Sequence, residues 1–481
     1  MHGGKYQIIS DRRRYAVYIH DDLTLRTEKG MMKQDARQTA VEIVRHLRKN
    51  GFEAYFVGGA VRDMILGATT EDYDIATDAS PDDIERLFNR VIPVGRQFGV
   101  SLVILDGRSY EIARFRTDGA YLDGRRPSTV TSSDIENDLR RRDFTINAMA
   151  YDPLEDRLID VAGGREDISK RLIRTVGDPD ERFAEDRLRI LRAVRFAARF
   201  DYEIERGTFD ALIRSAPYIG EVSAERIGEE LARMFSGPHA EKALSLLDKT
   251  GLLEIVLPEV AAMKGVKQPL EYHPEGDVFE HTRRMLELFE GGSTTLAFGI
   301  LLHDAGKPET YTVTDRIRFN RHDEVGASIV DRVLARLRFS RDIVTRVHTL
   351  VRNHMRFMHV REMRQAVLRR FMAMDGFEEL LELFRLDCLA SHGSLDLYDF
   401  VVSKREISGP ELPEPLLGGE DLIDAGYDPG PLFSTILKMV ADAQLEGSVT
   451  TRREALDLVL RAFPRDRRER PHRTSGNNPP D

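Results

Sequence analysis

The sequence predicts an α+β head followed by an all-helical remainder, and three observations carry that prediction. Short apolar runs rich in β-formers alternate with helical stretches over about the first 175 residues. From Asp178 the strand signals fade, and amphipathic helices succeed one another to about Phe463. With 481 residues, 41% of them hydrophobic, the chain can bury several cores, at roughly 100–200 residues per domain. The head is expected to hold a small mixed β-sheet.

The elements follow in order. Met1 to about Met32 carries no identifiable chemistry, and Met31-Met32 offers an alternative start, so residues 1–34 are taken as an extension. Asp35 to Asn50 has Ala40, Val41, Ile43, Val44 and Leu47 at helical spacing, and Gly51 ends it. Tyr55-Phe56-Val57 is a strand, Gly58-Gly59 a turn, Ala60 to Leu66 a short helix stopped by Gly67. A second strand carries Asp72 and Asp74. Ser80 and Pro81 open a helix that runs to about Asn89. Ser101–Leu105 and Ser109–Arg116 form a hairpin around Asp106-Gly107. Thr117 to Thr131, rich in Gly, Asp, Arg and Pro, is expected to be a mobile loop. Arg140 to Tyr151 is expected to be helical after its arginines, Arg157 to Val161 is one more strand, and Glu185 to Phe200 is one amphipathic helix. The expected division is extension 1–34, head 35–176, helical neck 177–262, a further helical domain 263–405, a helical tail 406–463 of two helices with a Gly-Pro turn, and a disordered end 464–481.

Composition excludes several classes. The formal net charge is −10, against a protein coated with basic residues, although a local basic stripe is enough to contact phosphates. Cys388 is the one cysteine, which leaves no intramolecular disulfide and no cysteine-based zinc site. No apolar run approaches the roughly 20 residues of a membrane span, and no signal-peptide pattern opens the chain. A reducing, cytoplasmic setting without a membrane partner is expected; the oligomeric state stays open.

The stretch from Ala54 to Asp78 carries the first candidate chemistry. Asp72 and Asp74 are two apart, so on a strand both carboxylates face one way. Magnesium takes oxygen ligands, commonly one or two carboxylates together with substrate phosphates. The Gly58-Gly59 turn lets backbone N–H groups approach phosphate oxygens without a Cβ in the way. Arg62 adds charge there, and Glu111 on the hairpin strand is a candidate third carboxylate. Alone, an Asp-x-Asp is more often a pair of solvated strand-end acids, and a Gly-Gly a tight turn.

GGAVRDMILG followed by EDYDIAT resembles the signature of the class II nucleotidyltransferases, which comprise bacterial CCA-adding enzymes and poly(A) polymerases. DGAYLDGRRP resembles their flexible loop, RRRDFTINAMAYDP their ribose-recognition motif, IDVAGGREDISKRLIRTVGDP their hinge, EDRLRILRAVRFAARF their nucleotide-selecting helix and AERIGEELARMF their next neck motif. These motifs stand in family order from about residue 50 to about 240. The resemblance implies magnesium at Asp72 and Asp74 with Glu111 assisting, triphosphate at Gly58, Gly59 and Arg62, and ribose at Arg141 and Asp143 supported by Asn147. It also implies that Asp186 and Arg189 choose the base. Three apart, they would share a helix face, offering acceptors and planar donors against which a C or A can be tested. The bland alternative is an ordinary i,i+3 ion pair.

A second constellation lies further on: His281, His303-Asp304 followed by Gly-Lys-Pro, His322, His354 and Asp387. Histidines and carboxylates from several helices can converge on metal. The arrangement resembles the HD phosphohydrolase superfamily, which implies a site for one or two divalent metals and the possibility of phosphoester hydrolysis. Lys307 is either a phosphate contact or a solvated helix-start lysine; His273, His348, His359 and His392 are taken as surface or helix residues.

The expected function is template-independent addition of CMP and AMP, from CTP and ATP, to a tRNA 3′ end, with RNA docking assigned to the tail. Its rivals are a poly(A) polymerase or A-adding enzyme, toward which VGRQFG (Val94–Gly99) leans; an HD phosphohydrolase with an inactive head; and a non-catalytic RNA-binding module, against which the paired acids argue.

Overall fold

A computed structural model describes residues 35–92, 99–119, 130–269, 271, 273, 274 and 276–464. The expected N-terminal extension, most of the VGRQFG stretch, the body of the 117–131 loop and the C-terminal end lie outside them. The chain divides into two compact units. One runs to Lys264 and includes Phe289–Ala297 and Arg332–Ser340; the other comprises Gly265–Leu288, Phe298–Asp331 and the chain from Arg341.

The first unit opens with α1 (Ala36–Lys49), β1 (Ala54–Val57), α2 (Gly59–Ile65), β2 (Asp74–Thr77), α3 (Pro81–Leu87), β3 (Val91–Ile92), β4 (Val100–Leu105), β5 (Arg108–Arg114), β6 (Arg116–Asp118) and β7 (Val130–Ser132). It continues with α4 (Ile135–Arg140), a 3-10 turn at Thr145–Asn147, β8 (Met149–Asp152), β9 (Arg157–Asp160), α5 (Gly164–Ser169) and β10 (Leu172–Ile173). Seven strands form the main sheet in the order β3-β4-β5-β2-β1-β8-β9, with β2 and β5 parallel and the other neighbours antiparallel. The sheet is mixed, as expected. Tyr55, Val57, Ala76, Phe115, Ile135, Leu139 and Ala150 form one core cluster of this region. Local signals behave as their chemistry dictates. Ser80 and Asp83 close a capping box on α3, and Asp106 and Gly107 both take positive φ (51° and 74°), the twist a two-residue hairpin needs.

Two expectations fail here. Arg140 to Tyr151 is not a helix: α4 ends at Arg140, and the rest is a loop, the 3-10 turn and strand β8. Tyr151 and Ala150 pair with Phe56 and Val57 on one side and with Leu158 and Ile159 on the other. That long-range pairing, with Phe144, Ile146 and Met149 fully buried, overrides local helical character. The ends of the expected loop pair as the β6–β7 ladder, Arg116 to Asp118 against Ser132 to Val130.

The neck follows as α6 (Pro179–Glu185), α7 (Leu188–Phe200), β11 (Glu203–Ile204), α8 (Arg206–Ser215), α9 (Ala224–Phe235), α10 (Ala240–Lys249), α11 (Leu253–Val256) and α12 (Pro258–Ala261). The helix expected over Glu185–Phe200 is therefore interrupted at Asp186-Arg187. Asp186 is extended (φ −139°, ψ 104°), and its carboxylate accepts the Leu188 N–H at 3.1 Å, so it caps α7 instead of riding on it. Gly228 of α9 allows a close approach: a Cβ there would meet the Leu337 carbonyl oxygen at 2.4 Å.

Helices α13 (Val278–Leu288), α14 (Thr294–Leu302), α15 (Lys307–Thr310), α16 (His322–Arg336), α17 (Arg341–Asn353), α18 (Gln365–Met372), α19 (Phe377–Ala390) and α20 (Asp396–Ser408) carry the chain onward. Between α15 and α16 stands a hairpin that the sequence reading lacks, β12 (Tyr311–Val313) with β13 (Ile317–Phe319). The tail has three helices where two are expected: α21 (Gly419–Asp424), α22 (Pro431–Leu445) and α23 (Arg452–Ala462), the Gly-Pro turn standing before α22. They pack around Leu422, Ile436, Val440, Ala455 and Val459.

Candidate functional site

The sheet sets the acidic cluster. Asp74 is the first residue of β2 and pairs with Val57, the last residue of β1, so the Gly58 turn leaves the sheet beside it. Ile75 pairs with Ile112 across the parallel β2–β5 ladder, which places Asp74 and Glu111 side by side one step earlier. Ile75 and Ile112 are buried on the opposite face, and buried Tyr73 separates Asp72 from Asp74. Strand geometry thus gives Asp74 and Glu111 a common face; Asp72, expected on the same strand, lies two residues before β2 begins, in irregular chain next to the cluster.

The two glycines are not equivalent. Gly58 has φ +72°, and a Cβ on it would lie 3.0 Å from Nη1 of Arg142 and 3.8 Å from Oδ2 of Asp74. Arg142 is a residue that the sequence reading missed; it sits over the turn, tied to Asp138 at 3.2 Å. Of the three consecutive arginines the sequence reading singled out Arg141, whereas Arg142 is the one that lies against this turn. Gly59 opens α2, and its nearest obstacle is Nη2 of Arg62 at 3.4 Å.

Arg62 has a different place from the one expected. Its side chain is buried, bonded to Asp63 through Nε (2.9 Å) and Nη2 (2.8 Å) and to Oδ1 of Asn147 through Nη1 (2.5 Å), with Phe200 below the guanidinium at 4.6 Å. Burial lowers its pKa against the pull of Asp63. It braces α2 against the 3-10 turn and α7, and phosphate contact is not the part this geometry favours. Asn147 in turn donates to Oδ1 of Asp143 at 3.3 Å, and Asp143 accepts from Nε of Arg192 on α7 at 2.8 Å. Burial alone would raise the Asp143 pKa; Arg192 and Arg189 outweigh it and hold the carboxyl at about 2. Arg141 is bound to the Arg116 carbonyl (3.1 Å) and to Asp138 (2.6 Å from Nη2). The two expected ribose residues are thus adjacent in sequence motif but belong to different networks.

Asp186 and Arg189 do not pair with each other, so the ordinary i,i+3 ion pair is not what these residues form. Asp186 is held by Nη2 of Arg226 at 2.9 and 3.1 Å. Arg189 Nη1 is bound to Glu185 (2.5 Å) and the Arg182 carbonyl (3.0 Å), while Nη2 reaches the Arg141 carbonyl at 3.3 Å.

The histidine constellation converges in the second unit. His281, His303 and Asp387 form one group and Asp304, His322 and His354 another, with the candidate ligand atoms of each group within 4.8 Å of one another. The groups join where Nε2 of His303 lies 3.1 Å from Oδ2 of Asp304. Three histidines are locked in orientation. Nδ1 faces a backbone carbonyl at His303 (Ile300, 2.8 Å), His322 (Phe319, 2.9 Å) and His354 (Val351, 2.6 Å). A carbonyl only accepts, so Nδ1 carries the proton and Nε2 is a lone pair turned inward. His322 and His354 then bring two lone pairs within 3.2 Å of each other, an arrangement a cation relieves. The donor set therefore fits divalent metal. Burial and the neighbouring His322 push His354 down to about 3, which favours the neutral ligand form. Lys307 is not a solvated lysine: it is buried, 2.6 Å from Oδ2 of Asp304 and 2.6 Å from Oε1 of Gln268. His273, expected at the surface, packs edge-on against the His281 ring at 5.0 Å. His348 is bonded to Asp331 near the surface, and His359 and His392 are exposed, as expected.

A mixed sheet with three acids beside a glycine turn, a helical neck and a histidine–aspartate helical region define a nucleotidyltransferase-type head with an HD-type partner region. Comparison with known proteins agrees. Residues 54–174 match the poly A polymerase head domain, 201–264 the probable RNA and SrmB-binding site of polymerase A, and 278–380 the HD domain. The chain thus carries matches to a poly A polymerase head domain, to the RNA-binding region of polymerase A and to an HD domain, in that order. It is 49% identical over 216 residues to the CCA-adding enzyme of Geobacillus thermodenitrificans, covering 45% of this chain and 53% of that protein. It is 44% identical over 236 residues to the CCA-adding enzyme of Bacillus licheniformis, covering 49% and 58%. The chain thus spans about half the length of the curated relatives it matches. The crystal structure of the Bacillus stearothermophilus CCA-adding enzyme in complex with CTP superposes with a TM-score of 0.68 at 27% identity, over 89% of this chain and 98% of that one. The Thermotoga maritima CCA-adding enzyme complexed with tRNA shares the fold, with a TM-score of 0.58 at 20% identity, over 89% of this chain and 95% of that one. No helix among the described residues is long and apolar enough to cross a membrane.

Proposed function

We propose that this chain adds CMP and AMP, from CTP and ATP, to the 3′ end of tRNA lacking CCA. The observation that carries the reading is the common face of Asp74 and Glu111 beside the Gly58 turn, with Asp72 two residues ahead of the strand, in a chain whose neck holds Asp186 and Arg189 in separate fixed networks. Bound magnesium would supply charge neutralisation for the triphosphate and the developing alkoxide. Asp72 and Asp74 would hold it, with Glu111 beside them. The turn at Gly58 leaves room for the triphosphate, and Arg142 stands over it as a further cation. The RNA 3′-hydroxyl attacks the α-phosphorus, a new phosphodiester forms, and pyrophosphate leaves. Asp143 and Arg141 would orient the ribose, and Asp186 and Arg189 would test the base. The similarity to CCA-adding enzymes in complex with CTP and with tRNA supports this choice of substrates over polyadenylation. We divide the work among head 35–176, neck 177–262, HD region 263–405 and an RNA-docking tail 406–463. The test is end-sequencing of products from truncated tRNAs given CTP and ATP, separately and together. Both CMP and AMP should appear, in that order; AMP added alone and without limit would sink the CCA assignment.

A second activity is favoured by the buried six-residue cluster. We infer that His281, His303, Asp304, His322, His354 and Asp387 hold divalent metal for phosphoester hydrolysis, and that this site works independently of the head. Metal-dependent release of phosphate from a phosphomonoester, retained in an Asp72→Ala/Asp74→Ala protein, is the expected result; a protein that binds metal there without hydrolysing any ester would reduce the site to a structural one.

A further inference from the structure

We propose that Lys307 divides the histidine–aspartate cluster into one tight and one weak seat for a divalent cation; this rests on the metal reading of the cluster given above. Asp304 is the residue that the two groups share. Its Oδ2 faces one group, 3.1 Å from Nε2 of His303. Its Oδ1 faces the other, 3.5 Å from Nε2 of His322 and 4.0 Å from Nε2 of His354. Filling both groups with metal would use both oxygens. One oxygen already has a cation beside it: Nζ of Lys307 lies 2.6 Å from Oδ2.

The ammonium is held in that place. Lys307 opens α15, and its backbone N–H donates to the Asp304 carbonyl at 2.9 Å. Its Nζ donates to Oε1 of buried Gln268 at 2.6 Å and stands 5.3 Å from the centre of the Phe319 ring. Gly306 clamps the turn between Asp304 and Lys307 against α16: a Cβ there would meet the His322 carbonyl oxygen at 2.2 Å and the Gly326 nitrogen at 2.6 Å.

Charge then decides how many ions fit. Asp304, Asp387 and Lys307, with neutral imidazoles, leave one net negative charge at the cluster. A first divalent ion turns this into one net positive charge, and a second into three. Uncompensated charge in a buried site is costly. The repulsion is also directional. An ion at His281, His303 and Asp387 lies on the Oδ2 side, toward the ammonium. An ion at Asp304 Oδ1, His322 and His354 has the carboxylate between itself and Lys307. That group also holds the two imidazole lone pairs 3.2 Å apart, which a cation relieves. The tight seat is therefore Asp304, His322 and His354, and the weak seat is His281, His303 and Asp387.

The test titrates the full chain carrying Asp72→Ala/Asp74→Ala, whose head has lost two acids, with Mn2+. Calorimetry counts the bound ions, and electron paramagnetic resonance tells an isolated ion from a coupled pair. One ion per chain should bind with the resonance of an isolated ion. A second should need a concentration about a hundredfold higher or more, as like charges in a sheltered site repel. Adding Lys307→Met should bring the two affinities within about tenfold of each other and give the coupled resonance. His303→Ala removes a ligand of the weak seat alone, so the first ion should bind unchanged and the second should be lost. A thermal melt shows whether each variant folds; if Lys307→Met does not, the ion count with Lys307 in place and the His303→Ala result still decide. Two ions taken up together with Lys307 in place, a single ion in folded Lys307→Met, or loss of the first ion in His303→Ala would overturn the proposal. A second unit that binds no Mn2+ at all would instead overturn the metal reading beneath it.

Discussion

In the first unit, Asp74 and Glu111 lie side by side on one face of a β-sheet beside a glycine turn, both only half-buried, and Asp72 stands exposed two residues before the strand. In the second, six candidate ligands drawn from separate helices and their ends meet in a cluster where His281, His303, Asp304, His322 and His354 are all buried. The two arrangements answer different physical demands. A sheet-borne acid cluster suits a substrate that brings its own phosphates, since it can stay open and needs little more than parallel register and a missing Cβ. The histidine cluster has no such partner built into it. Its geometry comes from carbonyls that fix three imidazoles and from Lys307, which stands against Asp304 in the protein interior.

The largest effect that separates the two is expected from Asp72→Ala/Asp74→Ala. Nucleotide addition should fall by roughly a thousandfold or more, since several kcal/mol of charge stabilisation disappear. Metal binding in the second unit, measured by calorimetry on the same protein, should not change. Loss of both together would mean that the sites are not independent.

His354→Ala is the reciprocal experiment. It removes one inward Nε2 and relieves the 3.2 Å approach to His322. Divalent-metal affinity should drop by about a hundredfold, on the scale by which ligand-shell changes act, while nucleotide addition persists. The apo protein should become no less stable, because a lone-pair repulsion goes with the ring; a marked fall in the apo melting temperature would show that the cluster is held by packing alone.

The neck network offers a smaller effect with a defined pH window. The Asp143 carboxyl is depressed to about 2 in the folded chain, from an ordinary value near 3.9 when unfolded. Its stabilisation is therefore complete above about pH 4 and is lost as pH falls through about 2. The shift corresponds to about 2 kcal/mol. Asp143→Asn should cost that much at pH 7 by urea unfolding, and the gap from wild type should narrow as pH falls from 4 toward 2. A gap that is constant with pH would assign the loss to packing.

The contrast also decides what was legible in the sequence. Asp72, Asp74 and the glycines are close in sequence, and local rules for strands and turns suffice to put them together. Glu111 could be expected nearby, but its register beside Asp74 required the parallel β2–β5 pairing. The failure at Arg140–Tyr151 has the same origin: β8 is a strand because β1 and β9 flank it, and nothing local reports that. The break at Asp186 was legible in part, since an aspartate before an apolar helical run is an N-cap candidate. Its partner Arg226, forty positions away, was not. For the histidines, residue type and the His-Asp doublet gave the residues that cluster, whereas the carbonyls that orient them are backbone atoms and leave no trace in residue identity. The solvated alternative for Lys307 fails because of Gln268, a buried partner far away in sequence.

The smallest and sharpest test uses the two glycines of the first site against each other. Gly58→Ala places a Cβ at φ +72°, which costs roughly 1–2 kcal/mol by itself, and sets that carbon 3.0 Å from Nη1 of Arg142. Arg142 must shift off the turn, so catalytic efficiency should fall by about tenfold or more, with KM for the nucleotide rising if Arg142 holds phosphate. Gly59→Ala adds a helix-compatible residue whose nearest neighbour, Nη2 of Arg62, lies at 3.4 Å. Because Arg62 is a brace held by Asp63 and Asn147, a small adjustment of it should leave activity within about threefold of wild type, a change of less than 1 kcal/mol. Equal losses in the two variants would mean that the turn works through its backbone N–H groups alone, and that Arg142 is a bystander. A loss confined to Gly58→Ala would place the working cation on Arg142, the one arginine of its run that no sequence rule distinguishes.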